Sequence, residues 1–185
     1  MKLPARAIAL VVFIVPLLQA CPALIVGAGI GAGIMVADDR RTNASMLEDQ
    51  TIEVKTKNSI EEKYGEQVRV NVTSFNRVIL LTGEAPSEDV RLDLGVLALG
   101  ISNVRNVQNE VIVAGHTSFA SRSADSLTTS RVKARLTQDK NVSANHIKVV
   151  TENSTTYLMG LVTRAEADSA AQTTATTSGV QRVVK

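Results

Sequence analysis

The feature that most constrains what this chain can fold into is an internal repeat. Asp49, Lys55, Lys57 and Ile60 recur 76 residues later as Asp125, Arg131, Lys133 and Leu136. Val70, Val72, Leu81 and Gly83 recur 77 residues later as Ile147, Val149, Leu158 and Gly160. At an offset of 76 again, Val104-Arg-Asn-Val107 matches Val180-Gln-Arg-Val183. Apolar positions and one glycine stay in step across about 60 residues, which points to duplication of one structural unit. A unit of that size lies near the lower limit for independent stability, so each copy needs nearly all of its apolar residues inside.

Each copy reads helix, strand, strand, helix, strand. In the first, residues 50–62 mix polar and apolar positions at helical spacing. Val68 to Val72 alternates with period two, and Val78 to Leu81 is a short apolar run ending at Gly83. Pro86 and Ser87 open a helix whose apolar residues Val90, Leu94, Leu97 and Ile101 fall at three- and four-residue steps. A strand follows over Val104 to Val113. The second copy repeats this with helices near 126–138 and 163–177 and strands near 146–151 and 156–161. Two helices on one face of a small three-stranded mixed sheet make an α+β unit, present twice. Gly83 and Gly160 are expected to hold a backbone geometry closed to other residues. The last strand of the second unit, following Val180, is expected to be shortened.

Upstream of the repeat, Met1 to Arg6 is basic, Ile8 to Leu18 is apolar apart from one Pro, and Leu18-Gln19-Ala20-Cys21 closes the segment. That order describes a secretory signal. The single cysteine excludes an internal disulfide framework. Its setting, L-x-A-C, resembles a bacterial lipobox, which implies cleavage before Cys21 and acylation of its thiol and amine. Pro22 rather than Asp follows, so the resemblance implies export to the outer membrane. The run Gly27-Ala-Gly-Ile-Gly-Ala-Gly33 superficially offers a dinucleotide loop, but it lacks a preceding strand and is broken by Asp38-Asp-Arg-Arg41. Ala23 to Ala37 falls short of the roughly 20 residues that span a bilayer. It reads as a tether. The chain thus divides into a signal peptide (1–20), a lipidated Cys and tether (21–48), a first unit (49–113), a linker (114–124) and a second unit (125–185).

Without residues 1–20 the chain has 18 basic and 18 acidic residues, so bulk charge lends no support to nucleic-acid binding. No catalytic motif or metal-ligand spacing is present, and His116 and His146 stand apart; neither an enzyme nor a cofactor is expected. The two copies differ in charge. Residues 49–113 hold 7 bases and 10 acids, and residues 125–185 hold 8 bases and 5 acids. The basic second unit suits an anionic lipid surface, where each Lys or Arg contributes about 1 kcal/mol. On its first helix Thr128, Val132 and Leu136 are spaced to face the sheet. Leu127, Arg131 and Arg135 form a second stripe that sets one apolar side chain beside two guanidiniums.

The whole pattern resembles the BON domain family, through the glycine of each copy, the V-x-x-V before each last strand, Thr151-Glu-Asn153 and Tyr157-Leu-Met-Gly-Leu-Val-Thr163. Lipobox, tether and two such units together resemble outer-membrane lipoproteins that face the periplasm of Gram-negative bacteria. The resemblance implies binding of anionic, phosphatidylglycerol-like phospholipid, support of envelope integrity and enrichment at division sites. It places the lipid-binding surface on the first helix of the second unit, at Leu127, Thr128, Arg131 and Arg135. The family pattern has an aromatic residue where Leu127 stands and apolar residues at Thr128 and Thr137, so weaker insertion and more reliance on charge are expected here. An alternative is a protein-interaction module that helps outer-membrane assembly proteins through a sheet edge or the acidic first unit. Haemolysin is a label sometimes carried by such relatives; nothing in the sequence resembles a pore-forming segment.

Overall fold

Each copy is organised around a two-residue hairpin turn. In the computed structural model, which describes residues 39–115 and 118–185, strands β1 (Arg69–Phe75) and β2 (Val78–Ala85) pair antiparallel with Phe75 opposite Val78. Asn76 and Arg77 turn the chain, with φ of 51° and 67°. Two consecutive positive φ values give a type I′ turn, whose twist matches that of the flanking strands. In the second copy β4 (Ile147–Glu152) and β5 (Thr155–Gly160) turn through Asn153 and Ser154, with φ of 49° and 59°. Both turns aim their amides at a buried carboxylate on the preceding helix. Asp49, on α1 (Asn43–Tyr64), accepts hydrogen bonds from Asn76 N at 2.8 Å, Arg77 N at 2.7 Å and Ser74 Oγ at 2.7 Å. Asp125, on α3 (Phe119–Gln138), accepts from Asn153 N and Ser154 N, each at 3.0 Å. The signal segment, Cys21, the glycine-alanine run and His116 lie outside the described residues.

Thr42 caps α1 by accepting from Ser45 N at 3.1 Å, and Gly65 ends it with a φ of 51°. Ser87 caps α2 (Glu88–Leu99), which bridges β2 to β3 (Asn106–Val113). β3 runs parallel to β2 from Val78 opposite Asn106 to Ala85 opposite Val113, giving a mixed sheet in the order β1-β2-β3. In the second copy α4 (Arg164–Ala175) starts at a full capping box between Thr163 and Glu166. β6 (Arg182–Val184) pairs parallel with only Thr155 to Tyr157 of β5, the short last strand expected from the sequence. The α+β reading therefore holds in both copies. The two cores share no residue: Ile52, Ile79, Leu81 and Leu94 fill one, and Val132, Leu136, Val149 and Ala170 the other. Each fully buried Leu, Ile or Val contributes about 1.5–3 kcal/mol.

Two expectations are corrected. α3 begins at Phe119, inside the stretch read as a linker over 114–124, because Ser118 accepts a hydrogen bond from Ser121 N at 3.2 Å and caps the helix earlier. The glycines differ in their reasons. Gly83 has a φ of 120°, and a Cβ there would collide with the Arg69 carbonyl. Gly160 has no positive φ; a Cβ would sit 2.7 Å from the His146 carbonyl oxygen, so close approach alone demands glycine.

Residues 38–185 form one compact unit. Strand alternation turns Leu80 away from the helices beside Ile79 and Leu81, and Tyr157 away beside Leu158. Both are nevertheless buried, and Tyr157 reaches the first copy through its hydroxyl, which donates to Glu110. The seam is largely ionic. Arg69 donates to Glu84 at 2.6 and 2.9 Å and to Glu152 of the second copy at 2.5 Å. Asn71 Nδ2 donates to Glu152 at 2.7 Å, and Lys148 Nζ donates to Glu53 at 2.7 Å. Glu110 accepts from the Tyr157 hydroxyl and from Arg182, both at 3.4 Å. The bonds to Glu84 foremost, and then to Glu152, hold the Arg69 proton more tightly than usual against the opposing effect of burial.

The chain enters this assembly through two arginines. Arg40 makes a two-pronged pair with Glu166, at 2.7 and 2.9 Å, and donates to the Leu161 carbonyl at 3.0 Å. Arg41 pairs with Asp49 at 3.1 Å and lies 4.0 Å from the centre of the Phe75 ring. One arginine therefore grips each copy.

Two predictions follow from these contacts. A buried donor left unsatisfied costs about 1–3 kcal/mol, so Asp49→Ala should lower the urea midpoint more than Asp125→Ala; equal midpoints for both variants and wild type would contradict the hairpin account. The bonds from Arg40, with those of Thr163, bring the Glu166 pKa down from 4.5 to about 2. Because the folded value is depressed, the stabilisation is present above pH 4.5 and is lost as pH falls through about 2. An NMR titration of the Glu166 carboxyl should show that low midpoint, and Arg40→Ala should move it back toward the ordinary value; an unmoved midpoint would remove Arg40 as the cause.

Candidate functional site

The candidate face is the solvent side of α3. Its inward positions are Asp125, Thr128, Val132 and Leu136, all buried. They are the counterparts of Asp49, Ile52, Thr56 and Ile60 on α1. With those four turned to the sheet, helical spacing leaves Leu127, Arg131 and Arg135 outside. Leu127 is 57 % exposed, and the two arginines are also exposed. One turn apart on the same side, Leu127 and Arg131 are neighbours. Arg135 lies further along the same side and donates to Thr177 Oγ1 at 3.2 Å, which steadies its guanidinium against the end of the second copy.

Thr128 does not share this face. It is 4 % exposed, packs against Gly179 and donates its hydroxyl to the Ala124 carbonyl at 2.9 Å. The four-residue spacing with Val132 and Leu136 already placed it toward the sheet, and the repeat aligns it with the core residue Ile52. Ser126 and Ser130 also fold their hydroxyls back onto the helix, bonding Arg122 O and Ser126 O at 3.0 Å. The surface is left to Leu127 and the cations.

Burial of one carboxylate sets the electrostatics. Asp125 is the sole acid within α3, and it is sequestered beneath the helix at the hairpin turn. Arg122, Arg131, Lys133 and Arg135 are all exposed. The counterpart α1 carries Glu48, Glu53, Glu61 and Glu62 besides Asp49, against Lys55, Lys57 and Lys63. The same scaffold thus presents a basic helix in one copy and a mixed, more acidic one in the other.

A groove of about 790 Å³ lies along β1 and β4, lined by Glu53, Arg69 and Glu152 among others. These charges pair across the seam, so the groove is a joint between copies. Among the described residues no group of three or more His, Cys, Asp or Glu is placed to hold a metal ion. No helix among them is long and apolar enough to cross a membrane. Arg40, Arg69 and Glu152 escaped the sequence reading because their partners lie far along the chain. The only local sign was the pair of arginines that breaks the glycine run.

The BON domain family matches residues 48–115 and 124–185. The chain is 36% identical over 184 residues to outer membrane lipoprotein DolP of Haemophilus influenzae, covering 98% of this chain and 95% of that protein. It is 30% identical over 149 residues to a 21 kDa hemolysin of Actinobacillus pleuropneumoniae, covering 80% and 77% of the two chains. Identity to osmotically-inducible protein Y of Escherichia coli is 26% over 156 residues, with coverage of 82% and 78%. The two matched segments coincide with the two helix-strand-strand-helix-strand copies, each closed by its own buried aspartate, and the chain belongs to the BON domain family, with two such domains in tandem.

Proposed function

We propose that this chain is an outer-membrane lipoprotein facing the periplasm, anchored through acylated Cys21, whose second BON domain binds anionic phospholipid and supports envelope integrity at division sites. The observation that carries the reading is the exposed Leu127 beside Arg131 on a helix whose only acid is buried. Inserting Leu127 contributes up to about 1.5–3 kcal/mol, and each cation near anionic headgroups about 1 kcal/mol. Arg131 and Arg135 supply forked donors suited to phosphate oxygens. The anchor reading draws on the sequence around Cys21 and on the 36% identity to a protein named as an outer membrane lipoprotein. Two or three acyl chains hold a protein at a bilayer without any spanning helix. The reading as an assembly module that works through a sheet edge is less favoured, since β4 is tied by ion pairs to β1, through Arg69 and Glu152, and to α1, through Lys148 and Glu53.

Residues 38–185 should bind vesicles more strongly as the phosphatidylglycerol fraction rises and more weakly as salt rises. Leu127→Glu with Arg131→Glu should weaken binding roughly tenfold or more. Thr128→Val, beneath the surface, should leave it unchanged. Undiminished binding by the double variant would sink the proposed face.

A further inference from the structure

The solvent faces of α2 and α4 occupy the same positions with opposite chemistry. Ser87 and Thr163 cap the two helices, which aligns them at the repeat offset. Leu94 and Ala98 are buried in one, Ala170 and Thr174 in the other. At the matching exposed positions α2 carries Leu92, Val96 and Leu99, at 53, 71 and 56 % exposure, where α4 carries exposed Asp168, Gln172 and Ala175. The second copy shows that this fold does not need apolar side chains there, and water disfavours a contiguous apolar stripe. Folding therefore does not account for Leu92, Val96 and Leu99.

We propose that this stripe of α2 is a contact face for a second copy of the chain, packed antiparallel about a two-fold axis through Val96. The spacing is self-complementary. Leu92 and Leu99 flank Val96 by about one turn on either side, so in an antiparallel pair Leu92 meets the partner's Leu99 and the reverse, an isologous contact. The charges select the same arrangement. Asp89 lies in the first turn, beside a Glu88 whose charge is offset by Arg91 at 2.5 Å, whereas the last turn, Val96 to Leu99, carries no charge. Antiparallel packing sends the two acidic ends to opposite sides, each beside the partner's uncharged turn. Asp89, in a domain with 10 acids against 7 bases over 49–113, disfavours docking of this face on an anionic bilayer. One helix stripe covers far less than the roughly 800 Å² per partner of a standard stable interface. The contact is accordingly weak in solution and gains from confinement of copies in one leaflet. That gain rests on the anchor proposed above.

The test uses the full chain, co-produced in Gram-negative cells as two copies with different epitope tags, with a photo-crosslinking amino acid at position 96. Illumination should give an adduct carrying both tags, and the same probe at position 172 should give none. In a Leu92→Asp, Leu99→Ala background the adduct should fall roughly tenfold. Those two residues are the ones the second domain carries at the same places, so the variant should keep its circular dichroism and abundance. A crosslink from position 96 to a different protein, to lipid or to nothing, or an equal adduct from position 172, would overturn the proposal.

Discussion

The buried aspartate at the hairpin turn is the contact on which each domain depends. Asn76 and Arg77, like Asn153 and Ser154, occupy positive φ, a conformation that costs non-glycine residues energy unless the surroundings hold it. Asp49 and Asp125 hold it by accepting the turn amides. The same bonds fix the rotation of α1 and α3 about their axes. Once the aspartate points at the turn, the residues at three- and four-residue steps from it must enter the core. The proposed lipid face is the other side of that decision: with Asp125, Thr128, Val132 and Leu136 inside, Leu127, Arg131 and Arg135 are left outside.

Duplication of this unit has allowed its surfaces to diverge while its interior has stayed in register. α3 exposes four cations and hides its one acid, whereas α1 exposes Glu61 and Glu62. α2 exposes an apolar stripe where α4 exposes polar or small residues. The two copies are joined by ion pairs, Arg69 with Glu152 and Lys148 with Glu53, rather than by a shared apolar core. Removing Arg69 would take from buried Glu84 the guanidinium it pairs with at 2.6 Å, the costly way to break such a pair. This ionic joint and the Arg40 and Arg41 contacts tie the second domain to the first.

Much of the fold could be read from local pattern. Hydrophobic period and capping signals located the helices and strands of the first copy, the repeat carried them to the second, and the match of Asp49 to Asp125 marked the two copies. What that match does could not be read, because the turn amides it binds lie some 28 residues downstream. The start of α3 was missed because its first turns, rich in Ser and Ala, look like a linker until the cap at Ser118 is seen. The stripe of Leu127, Arg131 and Arg135 was legible from four-residue spacing. Thr128 belongs elsewhere for the same reason: four-residue spacing with Val132 puts it inside. The ionic seam left no local signature, since Arg69 and Glu152 are 83 residues apart.

The central claim is that the duplicated scaffold delivers one lipid-binding face, on α3 alone. Backbone amide shifts of residues 38–185, followed by NMR during titration with phosphatidylglycerol micelles, test it most directly. The account predicts that the largest shifts cluster on α3 from Leu127 to Arg135 and collapse at high salt, while α1 and α2 stay unmoved. Largest shifts on α1 or α2, or shifts insensitive to salt, would contradict it.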